Sequence, residues 1–220
     1  MSNYSSYSLN NIDILMMEYL NYENGFFIES GANDGLSQSN TALYEFEFLW
    51  RGLLVEPNKK KFFECKKRRK DSIVENYALV SSNYQSDCIS GNFSTLDYSE
   101  SLMSMVIDDG DYTDDHLKFH RNEKIENFEI VDVPAITIEK LIQKHRISKI
   151  DFFSLDVEGY ELSVLNGIDF NNIRPKYFLI ETSNNSKYQK LIGNYMKEKN
   201  YNFVKRLTGN DDLFMDNVIN

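Results

Sequence analysis

The sequence predicts an α/β fold: a seven-stranded, mostly parallel, doubly wound sheet in a single domain spanning residues 1–220. Three observations predict it. Short apolar runs alternate with segments of helical periodicity from residue 26 onwards. Residues 150–155 form a near-continuous apolar run, as expected for a strand covered on both faces. Two β-like runs near the C-terminus flank Thr208-Gly209-Asn210-Asp211, which reads as the turn of an antiparallel hairpin.

The elements follow in order. Residues 9–20 carry Leu9, Ile12, Met16, Tyr19 and Leu20 on one side and predict a helix within an N-terminal segment, 1–24. Phe26-Phe27-Ile28-Glu29 predicts the first strand, which ends in a Gly-rich turn. Residues 37–49 predict a helix. Residues 52–55 predict the second strand, stopped by Pro57, and residues 59–69 the next helix. Residues 73–80 predict the third strand. Residues 138–144 predict a helix, with Thr137 as its cap. The run 150–155 is the fourth strand, and 161–165 is a short helix. Residues 177–180, introduced by Pro175, predict the fifth strand, and 187–199 a helix. Residues 202–207 and 213–218 complete the hairpin. Parallel neighbours require right-handed crossovers, which the intervening helices supply. The alternation breaks down between Ser81 and Val131, a polar stretch with Asp108-Asp109-Gly110-Asp111 and Asp114-Asp115. Residues 82–131 therefore read as an inserted cap or lid near the site.

Composition narrows the function. With 41% hydrophobic residues the chain can bury a core. Twenty-four basic against 34 acidic residues give a formal charge of −10, which disfavours nucleic acid as a partner. Cys65 and Cys88 lack metal-type spacing and read as two free thiols in a reducing compartment. No apolar run has the length of a bilayer span, so a soluble cytoplasmic protein is expected. Eight of the basic residues fall between Lys59 and Lys70. They read as a solvated helix face with Phe62 and Phe63 turned inward. The alternative is a docking patch for an anionic partner, such as a lipid-linked glycan or a peripherally contacted anionic bilayer.

In open α/β sheets ligands bind beyond the carboxyl ends of the strands. After the first strand comes Glu29-Ser30-Gly31-Ala32-Asn33-Asp34-Gly35, whose two glycines allow a sharp turn and close approach of the backbone. After the second strand comes Glu56, 21 residues beyond Gly35 and suited to accept hydrogen bonds from ribose hydroxyls. The dinucleotide pattern Gly-x-Gly-x-x-Gly is absent. Glu29 and Asp34 would repel a diphosphate and accept a cationic methionine-type ligand. The fourth strand ends in Asp156-Val157-Glu158-Gly159-Tyr160-Glu161, and the fifth in Glu181. Asp156 can cap the next segment or contact the ligand's amino group or an incoming hydroxyl. Glu158 can cap or act as a base, and Glu161 reads as a first-turn helix acid.

These motifs resemble those of the FkbM-type methyltransferases. The opening motif is Phe27-Ile28-Glu29-Ser30-Gly31-Ala32-Asn33-Asp34-Gly35 with Gln38-Ser39-Asn40-Thr41. Gly52-Leu53-Leu54-Val55-Glu56-Pro57-Asn58 is similar to the second, and Asn76-Tyr77-Ala78-Leu79-Val80-Ser81 to the third. The run from Ile150 to Leu162 is similar to the family signature, followed by Val164-Leu165-Asn166-Gly167 and Arg174-Pro175. The resemblance implies a Rossmann-like class I methyltransferase fold with S-adenosylmethionine as donor. It implies an O-methyl product, often on a sugar or glycan, which can be nucleotide- or lipid-linked. It also implies that Glu29, Gly31, Asn33 and Gly35 line the methionine end, that Glu56 takes the ribose, and that Asn76 and Ala78 lie near adenine.

An alcohol must lose its proton to attack a methyl group, so a base or metal must help. Candidate bases are Asp156, Glu158, Glu181 and the insertion histidines His116 and His120, four apart among aspartates. His145 precedes the fourth strand and reads as structural. Carboxylates can also hold Mg²⁺, with Asp156 as anchor. Two other readings remain at this point: a nicotinamide oxidoreductase, and a binding module without turnover. Within methyl transfer, a lipid or small-molecule hydroxyl is the alternative acceptor.

Overall fold

The structure, a computed structural model, describes residues 4–94, 105–107, 128–182 and 185–218. His116, His120 and the aspartates beside them lie outside the described residues. Helix α1 is Ile12–Leu20, followed by β1 (Phe26–Ser30), α2 (Ala42–Phe48), β2 (Arg51–Val55), α3 (Lys59–Arg68) and β3 (Ile73–Glu75). Then come β4 (Ala78–Leu79), β5 (Cys88–Ser94), β6 (Met105–Ile107), β7 (Phe128–Ile136) and α4 (Ile138–Lys144). The chain ends with β8 (Phe152–Leu155), α5 (Glu161–Leu165), β9 (Tyr177–Glu181), α6 (Ser186–Glu198), β10 (Tyr201–Arg206) and β11 (Asp211–Asp216).

The main sheet has seven strands in the order β10-β11-β9-β8-β1-β2-β3. Its core pairs are parallel, and β11 runs antiparallel to both β9 and β10. This is the sheet expected from the sequence, hairpin included. Alternation along the strands splits the core into two layers. Ile28, Leu53, Phe153 and Phe178 face one side and pack with residues of α4, α5 and α6 such as Leu141, Val164 and Ile192. Phe27, Leu54, Phe152 and Leu179 face the other and meet Met16, Leu43, Tyr44 and Cys65 from α1, α2 and α3. Burial on both faces is why these strands read as apolar runs.

Three local expectations change. The helix expected over 37–49 begins only at Ala42, because the preceding segment is tied down by side chains. Asp34 accepts the amides of Leu36 and Ser37 at 2.9 and 2.7 Å, and Glu29 accepts the amide of Asn40 at 2.8 Å. The third strand, expected over 73–80, breaks at Asn76. Its side-chain amide donates to the carbonyls of Glu56 and Pro57, each at 2.8 Å, and turns the chain out of the main sheet. Beyond that turn β4 pairs with β7 in a second sheet of order β4-β7-β5-β6. The segment 82–131 is therefore not only a loop. Its described part supplies β5, β6 and the start of β7, with β5 and β7 antiparallel from Cys88↔Pro134 to Ser94↔Phe128.

The basic segment also departs from expectation. Phe63 is exposed rather than turned inward, and Arg69, counted among the surface cations, is fully buried. The inward row of α3 and its C-terminal cap is Lys61, Cys65 and Arg69, four residues apart, as helical geometry requires.

Candidate active site

The register Ser30↔Val55 and Ser30↔Leu155 sets the carboxyl tips of β1, β2 and β8 side by side. The segments that follow these tips line a cleft of about 940 Å³, open mouth included. Gly31 closes the floor. Its amide donates to the Val55 carbonyl at 3.1 Å and its φ is +79°. A Cβ at this position would lie 1.8 Å from the carbonyl oxygen of Asp156, so the tips of β1 and β8 can touch only through glycine.

Glu29 lines the cleft wall, but its carboxylate already accepts several donors. Ser39 Oγ donates at 2.8 Å, the Asn40 amide at 2.8 Å and Thr41 Oγ1 at 2.6 Å. Arg69 adds a fourth partner, its Nη1 at 3.5 Å. Arg69 also donates Nη1 to the Gly35 carbonyl at 3.0 Å, Nη2 to Thr41 Oγ1 at 2.9 Å and Nε to Glu45 at 2.9 Å. One guanidinium thus holds the turn after β1 and the start of α2 against α3. A Cβ on Gly35 would come within 2.9 Å of both Arg69 and Cys65, which explains the glycine there. Asp34 is not a free negative charge at the cleft. Burial opposes its ionisation, but the Ser37 and Leu36 amides and Arg68, 2.5 Å away, pull it down to about 2.

Glu56 sits at the tip of β2 as expected. Its Oε2 accepts the Asn33 amide and its Oε1 the Asn58 amide, both at 2.8 Å. Burial nonetheless raises its pKa to about 7. Pro57, Lys61, Tyr77, Ala78 and Leu79 also line the cleft.

The tips of β8 and β9 carry the acids. Glu158 lines the cleft in a left-handed conformation, φ +55°, directly before Gly159 at φ +93°. A non-glycine residue held there stores strain of a kind that clusters at functional sites. Burial, then the charges of Asp156 and Glu161, raise Glu158 to about 8. Asp156 faces the open cleft yet is crowded by protein. Desolvation and neighbouring carboxylates raise it to about 7, while a hydrogen bond from Glu181 works against the rise. Glu181 goes up to about 11, first through the charge of Asp156 and then through burial. The two form a carboxyl pair that shares one proton, because two adjacent charges cannot both persist.

Glu161 is an internal cap rather than a cleft acid. It is buried, accepts the Val157 and Gly159 amides at 3.0 and 3.1 Å, and receives the hydroxyl of Tyr188. Asp156, Glu161 and Glu181 each offer an oxygen within 4.8 Å of the others. With both Glu161 oxygens engaged, this trio is a poor six-coordinate cage for Mg²⁺.

Of the residues singled out from the sequence, Glu29, Gly31, Asn33, Glu56, Ala78, Asp156 and Glu158 all line the cleft. Gly35 and Asn76 do not. The first packs under Arg69, and the second braces the Glu56–Pro57 backbone. Glu181 stands behind Asp156. His145 is outside the cleft, with Nε2 2.5 Å from Glu75. Arg69, Lys61, Tyr77 and Tyr160 were not singled out for the site. The four-residue spacing of Lys61, Cys65 and Arg69 is the signal that could have marked the inward row.

Residues 29–203 match the Methyltransferase FkbM domain family. No curated protein matches the chain at a significant level. Among solved structures, a Pyrococcus horikoshii protein assigned as an RNA methyltransferase is 10% identical, with 93% of this chain and 79% of that one covered at a TM-score of 0.49. A Pyrococcus furiosus methyltransferase is 12% identical, covering 97% and 87% at a TM-score of 0.44. A Geobacter sulfurreducens S-adenosylmethionine-dependent methyltransferase, solved with S-adenosyl-L-homocysteine, is 9% identical, covering 93% and 68% at a TM-score of 0.40. The match to the family domain spans most of the chain and includes the tips of β1, β2, β8 and β9, so the chain belongs to the FkbM family of methyltransferases.

Proposed function

We propose that the protein transfers a methyl group from S-adenosylmethionine to a hydroxyl oxygen of a sugar or glycan. The observation that carries this reading is the pair Asp156 and Glu158 in the cleft, beside the turn after β1, with Glu181 hydrogen-bonded behind Asp156. Carboxylates so placed can hydrogen-bond vicinal hydroxyls and take a proton from one of them.

The residues fit the donor. Each Glu56 oxygen accepts one amide, which leaves lone pairs on both for a ribose diol. Ser30 Oγ, at the cleft, is buried with no partner among the described residues and can take a polar group of the ligand. The acids around β8 favour a cationic ligand over a diphosphate, which also argues against a nicotinamide dinucleotide. When bound, S-adenosylmethionine supplies an electrophilic methyl group on a sulfonium, so the protein need only position and deprotonate the acceptor.

In this mechanism Glu158 accepts the hydroxyl proton as the oxygen–carbon bond forms and the carbon–sulfur bond breaks, its electron pair staying on sulfur. Asp156, tied to Glu181 by their shared proton, orients the acceptor hydroxyl. Glu29 and Arg69 act at one remove, by holding the turn that carries Gly31 and Asn33.

The test is release of S-adenosylhomocysteine during incubation with a panel of glycans, polyols and lipid alcohols, with the methylated position mapped by NMR. Methylation of a sugar oxygen is expected. Methyl transfer to nitrogen or carbon, to a lipid or RNA acceptor in preference to every glycan, or donor binding without turnover would overturn the reading.

A further inference from the structure

We propose that the outward face of α3 docks on an anionic lipid bilayer, with Phe63 inserted at the headgroup level and the surrounding lysines on lipid phosphates. The inference rests on this helix face and not on the methyl-transfer reading.

Phe63 is 57% exposed in the middle of the helix. In an α-helix the surface neighbours of residue 63 are residues 59, 60, 66 and 67. All four are lysines, and all four are exposed. The Phe62 ring lies 5.1 Å from that of Phe63, and Lys66 Nζ sits 5.5 Å from the Phe62 centroid. Phe63 is therefore surrounded on the helix surface by four lysines and backed by the half-buried Phe62. Lys61 and Arg69, the inward members of the basic run, face the other way.

Such a face does not serve solubility, since an exposed phenylalanine works against it and the chain already carries a charge of −10. It matches what an anionic bilayer offers: negative charge in a plane, and an apolar layer just beneath it. A nucleic acid fits less well. A convex helix with one exposed ring gives no stacking cleft, and a long phosphate chain would run onto the acidic surface of the rest of the protein. The placement also has a consequence for access. Helix α3 starts at the rim of the cleft, where Pro57 and Lys61 line the wall. A bilayer under α3 would stand beside the cleft mouth.

The test is co-sedimentation of the full chain with vesicles of phosphatidylcholine alone or mixed with phosphatidylglycerol. Binding is expected only with the anionic vesicles. It should vanish at 1 M salt, where the screening length is about 3 Å. Since each lysine near such a surface contributes about fivefold to partitioning, Lys66→Glu with Lys67→Glu should weaken binding by at least about 25-fold. Phe63→Ser should weaken it by about tenfold. Lys187→Glu with Lys190→Glu on α6 should leave it unchanged. Unaltered thermal unfolding and donor binding would show that the variants are folded. Failure to bind anionic vesicles, binding by the Phe63 and Lys66/Lys67 variants equal to that of the unaltered chain, or, in a parallel filter-binding assay, binding of RNA but not of vesicles would each overturn the proposal.

Discussion

Arg69 and Glu45 are joined at 2.9 Å with both side chains out of solvent. The same guanidinium reaches the Gly35 carbonyl and Ser39, at 3.0 and 3.1 Å, and lies over the Phe27 ring at 5.1 Å. Replacing it leaves two buried carboxylates, Glu29 and Glu45, without their cation. Arg69→Met is therefore expected to cost about 3–5 kcal/mol in urea unfolding. Arg69→Lys should not restore it, because one ammonium cannot span the fork of partners. Adding Glu45→Gln to Arg69→Met should recover part of the loss.

Two glycines make opposite predictions. Gly31→Ala places a methyl 1.8 Å from a backbone oxygen at φ +79° and should abolish donor binding and lower stability by about 3 kcal/mol or more. Gly193→Ala lies within α6 with nothing within 4 Å of the new methyl, and should stabilise by about 0.5–1 kcal/mol. Calorimetric titration of the donor and thermal unfolding read both.

Glu158 should reveal itself in the pH–rate profile. Its carboxyl is raised to about 8, so the proton-accepting form grows as pH rises towards that value, and kcat should climb with it. Glu158→Gln should lower kcat by about 10²–10⁴-fold and remove the acid limb. Donor affinity should move little. A variant that keeps the limb would transfer the role to Asp156 and Glu181.

Glu56 links stability to pH. Its folded value is about 7, above its ordinary value of 4.5, so the folded state binds the extra proton in between. The stability this supplies is complete below pH 4.5 and is lost as pH rises through about 7. Asp156 and Glu158 shift the same way and add to the slope. Unfolding temperature of the ligand-free protein should fall between these pH values. Glu56→Gln should flatten the fall and weaken donor binding by about tenfold or more.

What was legible in the sequence is what local chemistry dictates. Pro175, the turn at 208–211 and the run 150–155 announce their elements without help from distant residues. Glu56 was legible because a strand tip and a spacing locate it. Arg69 was not, since inside a run of eight cations it looks like any solvated residue, and its burial depends on carboxylates 24 and 40 positions away. Asn76 was hidden for a related reason. Ile73-Val74 and Ala78-Leu79-Val80 share strand propensity across it, and the break comes from a side chain gripping backbone 19 and 20 residues upstream. The late start of α2 has the same origin, in a glutamate on β1 that outcompetes helix formation for the amide of Asn40.

The parallel pairing of Ala78 with Ala135 and Leu79 with Ile136 brings the departure and return of the inserted segment to one spot, closed by the Val80 amide on the Ile136 carbonyl at 3.0 Å. The described part of that segment is joined to the frame here and through Ile89 of β5 and Val133 of β7, which pack with Ala78, Val80 and Tyr160. Since Ala78 and Tyr160 also line the cleft, a substitution at Ile89 or Val133 reaches the cleft wall through this contact.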